Sequence, residues 1–275
     1  MLTAEPIAPV GAELRGVDLS AIDAADFAAL HAALLEHGLL IARGQSLGHA
    51  EHVAIARRFG PLEALGREMG TEHPEVIAIT NVAEDGTVRA PADPEMSILS
   101  VNEHWHTDSS FREVPSSVSI FRADVVPPLG GDTFFVSLRR AWLALDREER
   151  ASLASLRLEH DYGRSAKRLG SWMPASIEDA PVMHPLVRRH PETGEECLYL
   201  SAHALRVAGM SEEDGRALID RLLAHCTREE AVYRHVWAPG DVALWDNRCM
   251  LHRAEGFDER HPRRMYHVRV QGSAV

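Results

Sequence analysis

His106 and Asp108, in the stretch His104-Trp105-His106-Thr107-Asp108-Ser109-Ser110-Phe111, have the chemistry of metal ligands. A third such residue, His252, stands far downstream in Trp245-Asp246-Asn247-Arg248-Cys249-Met250-Leu251-His252. Two imidazoles and one carboxylate make the facial set of a non-heme Fe(II) oxygenase. Three ligands on one face leave three positions for an oxidisable co-substrate and dioxygen. The spacing has a physical rationale, because residues two apart in a β-strand point to the same side of the sheet. A strand over 104–111 would therefore aim His106 and Asp108 at one ion. His252 would arrive from a strand remote in sequence. A His-x-Asp pair also arises by chance in a chain with 16 histidines, so the flanking elements must carry part of the argument.

Those elements read as follows. Asp23 or Asp26 can cap a helix running to His37, with Gly38 just past its end. Leu39-Leu40-Ile41-Ala42 is a buried strand. A second helix spans about His49 to Phe59 and stops before Gly60-Pro61. Residues 66–100 are loop-rich around a strand Val76-Ile77-Ala78-Ile79, and Ala90 to Met96 is a mobile loop expected over the active site. Strands are expected at His104–Phe111, Ser117–Asp124 and Thr133–Val136, then a helical insert from Leu138 to Leu156. Ser211-Glu212-Glu213-Asp214 carries a capping-box pattern, with Leu218, Leu222 and Cys226 as the apolar stripe behind it. Strands return at Ala231–Trp237, Asp241–Asp246 and Arg264–Val270, with a tight turn at Trp237-Ala238-Pro239-Gly240-Asp241. Taken alone, this pattern supports a mainly β fold with helical insertions.

The motifs extend beyond the triad. They include Arg57-Arg58-Phe59-Gly60-Pro61-Leu62-Glu63, Pro127-Pro128-Leu129-Gly130-Gly131-Asp132-Thr133, Gly240 to Arg248, and Pro262-Arg263-Arg264-Met265-Tyr266-His267-Val268-Arg269. In their order, spacing and flanks the chain resembles the taurine dioxygenase family of Fe(II)/2-oxoglutarate-dependent dioxygenases, over roughly residues 5 to 272. Ser109-Ser110-Phe111, Ser201-Ala202-His203-Ala204 and Leu251-His252-Arg253-Ala254-Glu255 are most similar to the aryloxyalkanoate branch, which acts on 2,4-dichlorophenoxyacetate and phenoxypropionates.

The resemblance implies a double-stranded β-helix, or jelly-roll barrel, as a single domain over 1–275. It implies Fe(II) on His106, Asp108 and His252, with 2-oxoglutarate as co-substrate and O2 as oxidant. 2-Oxoglutarate is lost as succinate and CO2 while a small carboxylate substrate is hydroxylated. An aryloxyalkanoate so treated falls apart into a phenol and a 2-oxo acid. The far carboxylate of 2-oxoglutarate needs a fixed cation, and arginine supplies a bidentate fork. Arg263 and Arg264 are the candidates. Arg263 is favoured because it follows His252 at the family's spacing and shares strand parity with His267 and Arg269. Thr133 resembles the family's threonine that donates to the same carboxylate. Asn102 and Arg269 are expected at the substrate. In the taurine enzymes an arginine directly after the histidine meets the sulfonate; Val268 stands there here, which disfavours taurine. His104 is either a pocket residue or a competing ligand. Trp245 and Asn247 are expected to pack behind His252, and Trp105 to pack in the core.

Composition limits the alternatives. The chain has 275 residues, 45% of them hydrophobic, and a formal charge of −12, with no Lys/Arg run, so nucleic-acid binding is not expected. No apolar stretch approaches the roughly 18 residues that span a bilayer. Met1–Glu5 lacks a secretory pattern. Cys197, Cys226 and Cys249 are scattered and odd in number, as in a reduced cytoplasmic protein. A homo-oligomer is expected. Two other function classes use a similar triad. A cupin-type isomerase or binding protein would not need Thr133 and the Arg263 cluster, and a homologue without chemistry would not keep an intact triad. Taurine or an alkyl sulfate is the alternative substrate. Halogenation needs a small residue where Asp108 stands.

Overall fold

The computed structural model describes residues 2–63, 72–91, 93, 96–170 and 180–273. Its centre is a seven-stranded sheet. In spatial order the strands are Thr3–Pro6, Ala12–Arg15, Leu39–Ala42, Val242–Asp246, Ser116–Val125, Arg264–Gln271 and Ile77–Thr80. Neighbours are antiparallel, except that Ala12–Arg15 runs parallel to Leu39–Ala42. A three-stranded sheet, in the order Tyr233–His235, Thr133–Ser137, Met250–Ala254, lies across from it. Phe135 of the small sheet meets Trp245 of the large one with ring centres 5.5 Å apart. The fold is thus mainly β with helices around it.

The central strands are apolar on both faces, and the period of two sorts their side chains. Leu39, Ile41, Phe121, Ala243, Trp245 and Met265 point between the sheets. Leu40, Ala42, Ile120, Val242, Leu244 and Val268 point the other way, into a second cluster with Leu30, Leu34, Val53 and Ile55 of the first two helices. Burying one such aliphatic side chain contributes about 1.5–3 kcal/mol, so both layers are needed to hold these strands flat against each other.

Local signals fix the helices. Asp23 accepts from the Asp26 N–H at 2.8 Å and starts Ala24–His37. Gly38 ends it in the left-handed region, with φ 74°. A Cβ there would stand 2.8 Å from Met250 Sδ, so the turn and the close approach both require glycine. Ser211 accepts from Asp214 N–H at 3.1 Å and donates to the Asp214 carboxylate at 2.7 Å, capping Glu212–Cys226. Leu222 and Cys226 are buried as expected, alongside Ile219.

Several expectations need correction. Residues 104–111 are not a strand: His106 makes one antiparallel bridge to His252, and the chain turns from Asp108 onward. Ser109 has φ 53°, which no strand allows. The insert at 138–156 is two helices, Leu138–Leu143 and Arg147–Leu153. Asp146 breaks the run by capping the second helix at the Glu149 N–H. A short helix, Ser97–Val101, stands where loop was expected. Residues 64–71, 92, 94 and 95, which carry much of the expected loop over the site, lie outside the described residues. Among the described residues no helix is long and apolar enough to cross a membrane.

His52 pins the helix His49–Arg57 to the large sheet. Its buried Nε2 donates to the Ile120 carbonyl at 3.0 Å. Burial pushes its pKa down to about 3, against the smaller opposing effect of that hydrogen bond. The unfolded chain takes up this proton near pH 6.5, whereas the folded chain resists until about pH 3. Stability is therefore fully present above pH 6.5 and falls as pH drops across that window. In metal-free protein, His52→Gln should reduce the pH-dependence of unfolding free energy by about 1.4 kcal/mol per pH unit between pH 6 and 4. Urea unfolding at a series of pH values measures this; parallel curves for the two proteins would refute it.

Candidate active site

The bridge between His106 and His252 builds the centre. Each residue's N–H donates to the other's carbonyl at 2.9 Å, which sets the two rings 4.2 Å apart. His106 Nδ1 lies 2.7 Å from the His104 carbonyl. A carbonyl can only accept, so Nδ1 carries the proton and Nε2 keeps its lone pair. Asp108 follows in the turn. Ligand atoms of His106, Asp108 and His252 all lie within 4.8 Å of one another, and all three residues are buried. This is the one group of its kind among the described residues.

Asp108 is held by several elements. Its Oδ2 accepts from Ser119 Oγ at 2.6 Å. Its N–H donates to Asn247 Oδ1 at 3.1 Å, which also accepts from Trp245 Nε1 at 2.9 Å. Asn247 Nδ2 closes the loop by donating to Ser119 Oγ at 2.8 Å. Trp245 itself packs against His252, tilted by 50° with ring centres 4.6 Å apart. Burial alone would raise the Asp108 pKa, but the facing His267, His252, Arg269 and His106 overcome it and hold the carboxyl far below its usual range. Burial lowers the pKa of His106 and, more strongly, that of His252. Both stay neutral at pH 7, the form in which imidazole binds metal. His252 Nδ1 is buried with no partner among the described residues. Two neutral imidazoles and an ionised carboxylate, with His252 Nε2 3.8 Å from Asp108 Oδ2, fit a divalent iron ion.

A cavity of about 600 Å³, including its open mouth, lies over this centre. Leu99, Phe121, Trp245 and Phe257 give it an apolar lining. Asn102, Thr133, Arg263 and His267 add polar groups. Thr133 Oγ1 accepts from Trp237 Nε1 at 3.0 Å, which leaves the hydroxyl proton free to donate. Arg263 is 4% exposed. Its Nη2 donates to the Gly131 carbonyl at 3.0 Å, and its backbone N–H to Asn81 Oδ1 at 2.7 Å. Its Nε has no partner among the described residues. Burial pushes its pKa down to about 10, with Asp132 opposing. The glycine pair makes room: a Cβ on Gly131 would stand 3.0 Å from Arg263 Nε, and one on Gly130 would stand 2.6 Å from the Gly256 carbonyl.

Not every candidate reaches the cavity. Arg264 faces the opposite way, half-buried and 3.8 Å from Asp124. Arg269 is turned away from the lining and lies behind Asp108, paired with Glu63 at 3.6 Å. Its strand parity is the expected one, but that part of the interior is already filled by Glu63 and Ser109. His104 lends its carbonyl to His106 and is outside the ligand cluster. Three residues escaped sequence reasoning. His267, 3.6 Å from the Asp108 carboxylate, lines the cavity with an unpartnered Nε2. Its parity with Arg263 was the available signal. Ser119 and Glu63 gave none, because their partners are distant in sequence.

The comparisons agree with this geometry. Residues 3–269 match the family model described as taurine catabolism dioxygenase TauD, TfdA family. The chain is 39% identical to an (S)-phenoxypropionate/alpha-ketoglutarate-dioxygenase of Delftia acidovorans, covering 96% of this chain and 93% of that one. It is 37% identical to the alpha-ketoglutarate-dependent 2,4-dichlorophenoxyacetate dioxygenase of Cupriavidus pinatubonensis, covering 94% and 93%. Among solved structures it superposes on AAD-2 in complex with Mn(II) and N-oxalylglycine, with a TM-score of 0.92, 31% identity, and coverage of 100% and 99%. The chain belongs to the TauD, TfdA family. It is an Fe(II)- and 2-oxoglutarate-dependent dioxygenase acting on a small molecule.

Proposed function

We propose that this enzyme cleaves an aryloxyalkanoate, a small carboxylic acid with an aromatic ether on the carbon next to the carboxylate. One oxygen atom of O2 enters that carbon and the other enters succinate, while 2-oxoglutarate loses CO2. The hydroxylated carbon is a hemiacetal or hemiketal, which collapses to a phenol and glyoxylate or pyruvate. The observation that carries the 2-oxoglutarate half of the reading is a buried guanidinium, that of Arg263, in one apolar cavity with the triad. A buried cation without a carboxylate partner calls for an anion.

In this reading His106, Asp108 and His252 hold Fe(II). Iron bound there supplies the oxidation of the substrate C–H bond, coupled to decarboxylation of 2-oxoglutarate. Thr133 and Arg263 hold the far carboxylate of 2-oxoglutarate. Asn102, after the Ser97–Val101 helix, contacts substrate. His267 takes the role first expected of Arg269 and offers Nε2–H to the substrate carboxylate. Leu99, Phe121 and Phe257 surround the aryl ring and keep water away from the reacting carbon. Holding that C–H bond in line for attack is the protein's main contribution. The names of the similar enzymes support an aryl ether, and Val268 after His267 supports a carboxylate over a sulfonate. The reading also takes the facing sheets as a double-stranded β-helix and the chain as one domain over 1–275. Three free buried cysteines support a reducing, cytoplasmic setting, and a homo-oligomer is part of the same reading, tested by light scattering.

Arg263→Gln should raise the KM for 2-oxoglutarate more than tenfold, consistent with the roughly 2–5 kcal/mol lost when one member of a buried charge pair is removed. Arg264→Gln, at a half-exposed site facing Asp124, should change it less than twofold. The reverse ranking in steady-state kinetics would assign the co-substrate to Arg264.

With Fe(II), ascorbate and 2-oxoglutarate, a 2-phenoxypropionate should yield phenol and succinate in equal amounts. His106→Ala should yield neither. His267→Ala should raise the KM for the phenoxypropionate and leave that for 2-oxoglutarate alone. Sulfite from taurine, with no phenol from any phenoxyalkanoate, would transfer the enzyme to sulfonate chemistry.

A further inference from the structure

A second buried carboxylate, Glu63, lies behind the triad and has no part in the reaction above. Its side chain is 3% exposed. Oε1 accepts from Ser116 Oγ at 2.5 Å, and Oε2 accepts from Ser109 Oγ at 2.8 Å. Arg112 lies 3.6 Å from Oε2. Arg269 spans the space between the two acids. Its Nε is 3.6 Å from Glu63 Oε2, and its Nη1 is 3.8 Å from Asp108 Oδ1 and 3.3 Å from Ser109 Oγ. Ser109, the residue after Asp108, is the one described non-glycine residue with positive φ. Its hydroxyl ties that left-handed turn to both Glu63 and Arg269.

We propose that Glu63, Ser109 and Arg269 form a charge-balanced bracket that positions Asp108 and sets the affinity of the triad for its divalent metal. The proposal rests on the reading of His106, Asp108 and His252 as the metal site. Asp108 Oδ2 is already held by Ser119, and Arg269 steadies the Oδ1 side. An arginine so close to a metal site would repel the ion. Glu63 lessens that penalty by facing the guanidinium with a carboxylate it shares with Arg112, so Arg269 can stand as a fixed charge 3.8 Å from Asp108. Arg269 is thus a positioning residue, acting through Asp108.

Titration of Mn(II) into the metal-free full-length protein by calorimetry tests this without turnover. Glu63→Gln keeps an acceptor for one serine and turns the other contact into an amide donor to a hydroxyl; it unmasks the arginine and should weaken Mn(II) binding about tenfold, within the range for groups that support metal ligands. Glu63→Asp, which keeps the charge, should stay within threefold of the parent. The double variant Glu63→Gln/Arg269→Gln restores charge balance and should recover most of the lost affinity. A merely structural role would make the double variant worse than either single one. Unchanged Mn(II) affinity in Glu63→Gln, or a double variant weaker than it, overturns the bracket. If Glu63→Gln does not fold, Arg269→Gln decides alone. Losing Arg269 removes a brace on Asp108 and a positive charge near the metal together, so its Mn(II) affinity should stay within threefold of the parent's; a tenfold loss overturns the bracket. Failure of the parent protein itself to bind Mn(II) would overturn the metal site and the bracket together.

Discussion

An ionised carboxylate buried to 6% exposure is costly, and the architecture around Asp108 is organised by that cost. Its compensation comes from four places in the chain. Ser119 stands on the Ser116–Val125 strand, Asn247 follows Val242–Asp246, His252 belongs to the small sheet, and His267 and Arg269 lie on Arg264–Gln271. These strands must be in register for the carboxylate to be satisfied. The antiparallel pairing of Trp245 with Ser119, and of Arg269 with Ser119, delivers that register. The same alignment that buries the apolar side chains between the sheets thus also satisfies the charge at their edge.

Much of the scaffold was legible in the sequence because its signals are local. Asp23, Gly38 and Ser211 are read by the chain within a few residues of themselves, and each helix end falls where they put it. The runs Leu39–Ala42 and Val242–Asp246 are continuously apolar or buried, which suits strands covered on both faces. The segment at 104–111 was different. His106 and Asp108 do face one point, but through a single bridge followed by a turn, not through the alternation of a strand. Two residues around a turn can converge as well as two on a pleat, and their spacing does not distinguish the two cases. The turn is tied down by Glu63, 46 residues before Ser109, whose bonds to Ser109 and Ser116 no local pattern announces.

Parity also has a limit that Arg269 makes plain. Alternation along a strand assigns a face, and Arg263, Met265, His267 and Arg269 do share one. It does not assign depth. At roughly 3.3 Å per residue, Arg269 lies some 6–7 Å beyond His267, past the cavity and into the wall behind the triad. The sequence cannot show where a cavity ends, because its floor is made by side chains from other strands.

The two interior arginines differ in a way that sorts their roles. Arg263 is buried and Arg269 is partly buried, and both lie near the triad. Arg269 is 3.6 Å from one carboxylate and 3.8 Å from another, so its charge is already answered within the protein. Arg263 meets a backbone carbonyl, and burial has lowered its pKa because no carboxylate within bonding distance opposes the loss of water. A cation left in that state stores an attraction that an incoming anion can satisfy, whereas a cation already paired stores none. Pairing, more than position in the sequence, separates an arginine that can receive 2-oxoglutarate from one that braces the wall behind it.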